Sequence, residues 1–489
     1  MELTQQEIKF YIPASGKISG FSESTDVIIP DSYPDFEETV FSCATINVKD
    51  ELKQPERILI SGQIDAVVLY KGSDEKTLHR LSIPLGFAHV EETKGAADNS
   101  LHFMQYTVTQ TEVRIVNSRK INVTCTCILR PKAFQRTFVA LTCGVEAANS
   151  SLQTRMKRCA LPMITAVETK RFVILDDLEI ADGDGADPLH AEVNFKDVTC
   201  SVTNGRVILN GSASLRLWDI QDGCSVSCHT HDIPFHQILD ANLLCENIPA
   251  EVELSCHSII CHRSNSEILS VNFNTEALFW QQTEQECSWI EDLYDLHCEL
   301  QTDFQPLMLV ANNGPTPFKC TAHETITAPH DVSDILSSEL TVSSILPSDE
   351  GELKLLLFCS ILYLDNAGDL HQIQKQSHVV CTVEQGTPSG LLIDMKCSAI
   401  PSFQGNQISL PIAAIGRAYQ NNSFTIQNLK ELTASPCEHK RPLKLLYLKE
   451  NTPLWRIAKE NKTTLPLITR YNALPENAET VANKILLIP

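Results

Sequence analysis

Apolar and polar residues alternate along most of the chain with the period of two that puts every second side chain on one face of a strand. The runs Ile58–Tyr70, Thr107–Val116, Lys120–Leu129 and Val207–Trp218 are rich in Val, Ile, Thr and aromatics. Turn-forming clusters such as Lys71-Gly72-Ser73-Asp74 and Asp365-Asn366-Ala367-Gly368-Asp369 divide them. This pattern predicts antiparallel sheets stacked as sandwiches or barrels. A weak helical period runs through Gln135–Ala160, chiefly over Asn149–Lys157.

At 489 residues the chain is too long for one core. Internal similarity divides it. ERILISGQIDAVVLY from Glu56 and GRVILNGSASLRLW from Gly205 each carry a glycine, Gly62 or Gly211, followed 21 or 22 residues later by Ile83-Pro84 or Ile233-Pro234. A third stretch, LKLLLFCSILYLDNAGDLH from Leu353, shares the Leu-aromatic pair. Aligning Tyr70, Trp218 and Tyr363 gives three β-rich, sandwich-like units over residues 1–137, 138–290 and 291–420, then a linker, 421–442.

The pattern changes over Leu443–Pro489, which reads as strand, helix, helix, strand. Thr452 is placed to cap a first helix with Pro453 at its first position and Leu454, Ile457 and Ala458 on its apolar face. Thr464 is placed to cap a second, which carries Ile468 and Tyr471 and ends in a left-handed turn at Asn472. The runs Leu445–Leu448 and Ile485–Ile488 flank them.

Leu454-Trp455-Arg456-Ile457-Ala458, Thr463-Thr464, Leu467, Asn472 and the closing Leu486-Leu487-Ile488-Pro489 closely resemble a LysM module. Two positions depart: Asn451-Thr452-Pro453 stands where LysM has Gly-Asp-Thr, and Asn483 where it has Gly, a residue type that tolerates positive φ well. The resemblance implies a small α+β (βααβ) domain with Leu454, Trp455, Ile457, Ala458, Ile468 and Ile488 in its core. It also implies a surface for N-acetylglucosamine polymers or for a protein, with Asn451, Thr452, Pro453, Arg456, Lys459, Lys462, Asn472, Leu474 and Asn483 as candidates.

A second resemblance covers the region ahead of the module. DVIIPDSYPDFEETV from Asp26, the Gly62 strand, Ile83-Pro84 and VNSRKINV from Val116 are similar to SPOCS, a domain of unknown function found in sporulation and spore-coat proteins of clostridia and their relatives. Ile326-Thr327-Ala328-Pro329 with Asp334-Ile335 matches again, and Asp187-Pro188-Leu189 is a degenerate trace. SPOCS-type units followed by one LysM are a frequent architecture of that family. The resemblance implies a spore-coat assembly factor whose partners are coat or basement-layer proteins, acting in the mother-cell cytoplasm at the forespore surface. A wall or cortex glycan binder is the alternative.

The net charge of −22 argues against nucleic acid and anionic membrane as partners of the whole chain. Leu443–Pro489 is different: Lys444, Lys449, Arg456, Lys459, Lys462, Arg470 and Lys484 outnumber Glu450, Glu460, Glu476 and Glu479, which suits an acidic partner surface or an ordinary solvated face equally. The polar start Met1–Glu7 has no signal-peptide pattern, and the longest mostly apolar run, Leu355–Leu364, is too short to span a bilayer, so a cytoplasmic protein without membrane insertion is expected.

Of 18 cysteines, those in Cys224-x3-Cys228-His229-x-His231, Cys245 and Cys256-His257-x3-Cys261-His262 have the residue types of a zinc site without its usual Cys-x2-Cys spacing. Reduced core thiols are expected there, with zinc or oxidative cross-linking as alternatives, and no cofactor is expected. Phosphate-binding Gly loops, Gly-x-Ser-x-Gly and His-Glu-x-x-His do not occur, and the expectation is a scaffold rather than an enzyme.

Overall fold

The computed structural model describes residues 2–15, 18–54, 57–72, 77–92, 100–146, 151–180, 186–221, 225–265, 267–347, 352–385, 391–436 and 443–489. The fold is mainly β. In the first part, β1 (Glu2–Ser15), β2 (Ser19–Ile28), β3 (Phe36–Gln54), β4 (Arg57–Gly72), β5 (Leu78–Glu92), β6 (Ser100–Asn117) and β7 (Lys120–Glu146) make a β3-β4-β5 meander and a layer in which β7 lies between β2 and β6. Alternation in β4 turns Ile58, Ile60, Ile64 and Val68 to one face, where they bury against Val123, Cys125 and Leu129 of β7.

The next part repeats the sheet-on-sheet logic with β8 (Leu152–Glu179), β9 (His190–Thr203), β10 (Arg206–Gln221), β11 (Ser225–Asp240), β12 (Ala250–Arg263) and β13 (Ile268–Asp295). The β9-β10-β11 meander covers a β8-β13-β12 layer across Val207, Leu209, Leu217, Phe273 and Phe279. The third comprises β14 (Cys298–Thr327), β15 (Val332–Pro347), β16 (Glu352–Asp365), β17 (Leu370–Gln385), β18 (Leu391–Ala399), β19 (Ser402–Gln404) and β20 (Gln407–Pro436). Its core holds Leu355, Leu357, Tyr363, Cys320, Ile408 and Leu410.

Three long ribbons run out of these layers. β1 and β2 pair with β7, β8 pairs with β13 along its whole length, and β14 pairs with β20 from Cys298↔Pro436 to Thr327↔Gln407. Their outer halves share a core of Phe10, Leu141, Met163, Trp289, Leu309 and Ile426. Two fully buried amides fasten them: Asn428 Oδ1 accepts from Thr142 N at 2.9 Å and its Nδ2 donates to Ala140 O at 3.0 Å, while Asn312 Oδ1 accepts from Ile164 N at 3.2 Å. A buried amide with its partners supplied fixes register more than it adds stability.

Several boundaries move accordingly. Residue 137 lies inside β7 and residue 290 inside β13, so cuts there would sever ribbons that join one layer to the shared core. Residues 421–436 are not linker but the end of β20, and 437–442 lie outside the described residues. The helical period over Gln135–Ala160 is overridden by pairing of its described residues with β1 and β13; 147–150 are not described.

Gly62 and Gly211 have a shared steric cause. A Cβ on Gly62 would lie 2.1 Å from Asn47 O and 3.0 Å from the Phe87 ring, and one on Gly211 would lie 2.7 Å from the Phe235 ring and 3.3 Å from Lys196 O. Each glycine lets an aromatic ring from the next strand and a bulged neighbouring strand approach the backbone. The alignment of Trp218 with Tyr70 and Tyr363 is one residue off. Tyr70 and Tyr363 face the cores of their own layers, whereas Trp218 sits with Leu69 and Leu362 in a cluster where the three meanders meet. A one-residue slip exchanges the faces of a strand.

The C-terminal segment forms β21 (Lys444–Leu448), β22 (Thr452–Pro453), α1 (Leu454–Glu460), α2 (Leu465–Tyr471), β23 (Thr480–Val481) and β24 (Lys484–Ile488), with β21 antiparallel to β24. Pro453 is not the first helical residue: its ψ of 128° is extended, it is itself the cap position, and Thr452 pairs with Val481. Thr464 precedes α2 without a side-chain cap bond. Asn472 has φ −110°, and the left-handed residue is Ala473 at 48°. Asn483 takes φ 51°, in the left-handed region that asparagine tolerates better than most residues.

Candidate functional site: the C-terminal module and its seat

Leu454, Ile457, Ala458, Ile468 and Ile488 are fully buried. Trp455 is different. It is half-buried, packing at the edge of the module core where that core meets Tyr294 of the main body. Trp455 Nε1 donates to Asp292 Oδ2 at 2.8 Å, Lys459 Nζ donates to Asp292 Oδ1, and Lys462 Nζ donates to Cys298 O at 3.1 Å. Tyr294 of β13 completes the seat: its ring meets Trp455 edge-on at 5.1 Å and its hydroxyl donates to Thr463 O at 2.7 Å. Arg155 of β8 stands 5.8 Å over the Trp455 ring.

Burial works to raise the Asp292 carboxyl, but the hydrogen bonds from Lys459 and Trp455 outweigh it and hold the group below its ordinary 3.8. Two of the three cations singled out for partner docking are therefore engaged within the chain. Arg456 is exposed and, among the described residues, pairs along its own helix with Glu460 at 2.8 Å.

The sugar-loop candidates are structural in this fold. Asn472 Nδ2 donates to Ile468 O and Leu487 O at 2.8 Å each, and its Oδ1 accepts from Leu487 N at 2.6 Å, so its amide locks α2 to β24. Pro453 pairs with Thr480, Thr452 Oγ1 donates to Glu450 O at 3.1 Å, and Leu474 packs on the module core. Asn451 and Asn483 are exposed in turns.

What the module leaves outward is apolar. Leu448, Leu486 and Ile488 bury the inner face of the β21–β24 sheet, while on the outer face Leu445 is 74% exposed, Tyr447 58% and Ile485 60%, with Tyr447 directly opposite Ile485. Lys444 and Lys484 stand at opposite ends of that ladder. The apolar run Leu445–Leu448 carries this signal in the sequence, since a strand buried on one face alone would alternate. Nothing in the sequence marks Asp292 or Tyr294, which reach the module from more than 160 residues away.

The described members of the middle-part Cys/His run do not converge. Cys228 pairs across the ladder with Trp218, His229 is exposed, Cys256 and Cys261 pack on the second core, Cys245 is exposed, and Cys224 lies outside the described residues. His257 instead meets Glu276 at 3.2 Å and Glu51 at 4.0 Å; among the described residues these three form the one group compact enough for a metal ion. Lys53 lies 3.3 Å from Glu51 and Arg171 3.0 Å from it, so the two carboxylates already face two cations, and a divalent ion would leave a partly buried surplus of positive charge. The cluster reads as an ion network tying β3 to β8, β12 and β13.

Where the three meanders meet, a cavity of about 60 Å³ is lined by Ser42, Cys43, His190, Trp218, Glu339 and Gln372. The Gln372 amide clasps the backbone of Ser42, accepting from its N at 2.9 Å and donating to its O at 3.0 Å. Arg216 stands 3.4 Å from Glu192 and 3.5 Å from Glu339. One guanidinium cannot neutralise both acids. Burial first, then the Glu192 charge, pushes Glu339 up to about 8, and burial raises Glu192. Raised carboxylates stabilise the fold while protonated, so this contribution is complete below about pH 4.5 and declines as pH rises to about 8. Thermal midpoints measured across that range are expected to fall toward high pH, and less steeply in Glu339→Gln; equal slopes would remove the pair from the explanation.

No family model, no curated protein and no solved structure matches the chain. Among the described residues no helix is long and apolar enough to cross a membrane.

Proposed function

We propose that this chain is a non-catalytic assembly factor of a bacterial spore envelope. Three SPOCS-type β-units form a body that carries one LysM-type module, and the module docks on a coat-basement protein at the forespore surface, on the mother-cell side. The sequence resemblances to SPOCS and LysM support this reading. The observation that carries the docking role is the outward apolar sheet face of the module, Leu445, Tyr447 and Ile485, on a domain whose opposite side is fixed to the body by Trp455, Lys459 and Tyr294.

Protein docking is favoured over glycan binding because Asn472, Thr452 and Pro453 spend their polar groups or backbone on holding the module together. A sugar chain needs free hydrogen-bonding groups in a groove, whereas a protein partner gains by covering apolar area, at about 25 cal/mol per Å². A scaffold role also suits Cys256 and Cys261 of the middle part. Burial pushes Cys256 and Cys261 up to about 12, the reverse of what a nucleophile needs.

The test is a sedimentation assay of the full chain with peptidoglycan and with chitin. Weak or absent retention of both is expected, and retention at low micromolar protein that soluble chitin oligomers reverse would replace docking with wall binding.

A further inference from the structure

The ribbon that bears the module's seat contains two cysteines on facing strands. Cys159 of β8 and Cys287 of β13 are directly opposite in an antiparallel ladder. Directly opposed residues share one face of a sheet, with Cβ atoms about 4.5–5.5 Å apart, and a disulfide needs Cβ atoms about 3.5–4.5 Å apart, so a small approach of the strands suffices. Both side chains lie on the core the ribbons share, beside Met163 and Trp289. Cys287 is buried and Cys159 half-buried, so an oxidant reaches the pair from the Cys159 side.

Position gives the pair its consequence. From Cys159↔Cys287 the ladder runs through Arg158↔Ser288, Lys157↔Trp289 and Met156↔Ile290, breaks its register, and resumes at Arg155↔Asp292. Arg155, Asp292 and Tyr294 are the residues that hold the module. A register break weakens pairing locally, and a covalent bridge just inside it would hold together the two strands that form the seat.

We propose that Cys159 and Cys287 are an oxidisable dithiol, and that a hydroperoxide converts them to a disulfide that staples the ribbon beneath the module. The Cys159 thiol gives up its proton as its sulfur attacks one peroxide oxygen; the O–O bond breaks, the proton leaves with the other oxygen as water, or as an alcohol from an alkyl peroxide, and Cys159 becomes a sulfenic acid. The Cys287 sulfur then displaces water from that sulfenic acid, forming the S–S bond. Two thiols lose two hydrogens while the peroxide is reduced. The inference does not depend on whether the module's partner is a protein or a glycan.

The experiment treats the full chain, fully reduced and freed of reductant, with hydrogen peroxide and maps its peptides without reduction. A cross-linked peptide pair containing Cys159 and Cys287, lighter by two hydrogens, is expected, with a thermal midpoint that rises on oxidation and returns on adding reductant. Cys159→Ser, at the half-buried position, should lose both the cross-link and the shift, and Cys287→Ser should do the same if it folds. Oxidation of the exposed Cys245 with Cys159 and Cys287 still unlinked would overturn the proposal. So would an unchanged reversible shift in Cys159→Ser.

Discussion

Trp218→Ala is expected to lower the stability of the chain by about 3–5 kcal/mol, the usual range for removing a large buried aromatic. The indole is 1% exposed and packs with Phe41, Leu69, Leu189, Leu362 and Leu370, residues drawn from all three meanders. Arg216 lies 4.7 Å over its ring and His190 4.9 Å from it, so truncation would also loosen the guanidinium shared by Glu192 and Glu339. Urea unfolding followed by circular dichroism reads the effect. A loss below about 1 kcal/mol, in the range of an ordinary surface substitution, would show that the meanders do not depend on a common centre.

Asp292→Ala is expected to free the module from the body. The carboxylate accepts from Trp455 Nε1 and Lys459 Nζ, and hydrogen bonds to a charged group contribute about 1.5–3 kcal/mol. Asp292 is about a quarter exposed and Lys459 more so, which places the expectation near the lower end, about 1.5 kcal/mol. Hydrogen exchange over 443–489 should rise. Lys459→Glu should behave alike, and Arg456→Glu, which among the described residues pairs with the exposed Glu460, should not. The Asp292 carboxyl titrates below 3.8, so its contribution is present above that pH and is lost as pH falls through the lowered value; the seat should hold through neutral pH and open only in acid. Unchanged exchange in Asp292→Ala would mean that Tyr294 alone suffices.

Strand alternation made the β-rich body legible, because period-two burial leaves its mark in every half-buried strand. Gly62 and Gly211 stood out for a steric reason that is local to each strand: a carbonyl and an aromatic ring crowd the missing Cβ. Aligning Trp218 with Tyr70 failed because composition does not distinguish the two faces of a strand when both are apolar, and in β4 and β10 both are. The unit boundaries at 137 and 290 fall inside strands because β7 and β13, of 27 and 28 residues, have no turn signal midway. The module's helices were readable from Leu454, Ile457 and Ile468. Its seat was not, since Asp292 and Trp455 are 163 residues apart and only the fold makes them neighbours. Lys459 and Lys462 looked free for a partner because charge counts do not reveal what the rest of the chain offers.

The docking role stands or falls with the outer sheet face of the module. A fluorescent fusion of the full chain, imaged in sporulating cells, should ring the forespore. A Leu445→Glu, Tyr447→Glu double variant, which charges positions that are 74% and 58% exposed and so leaves the module core intact, should stay diffuse in the mother cell while its circular dichroism and seat protection match the unaltered protein. A correctly folded double variant that still rings the forespore would contradict the assignment of this face as the docking surface.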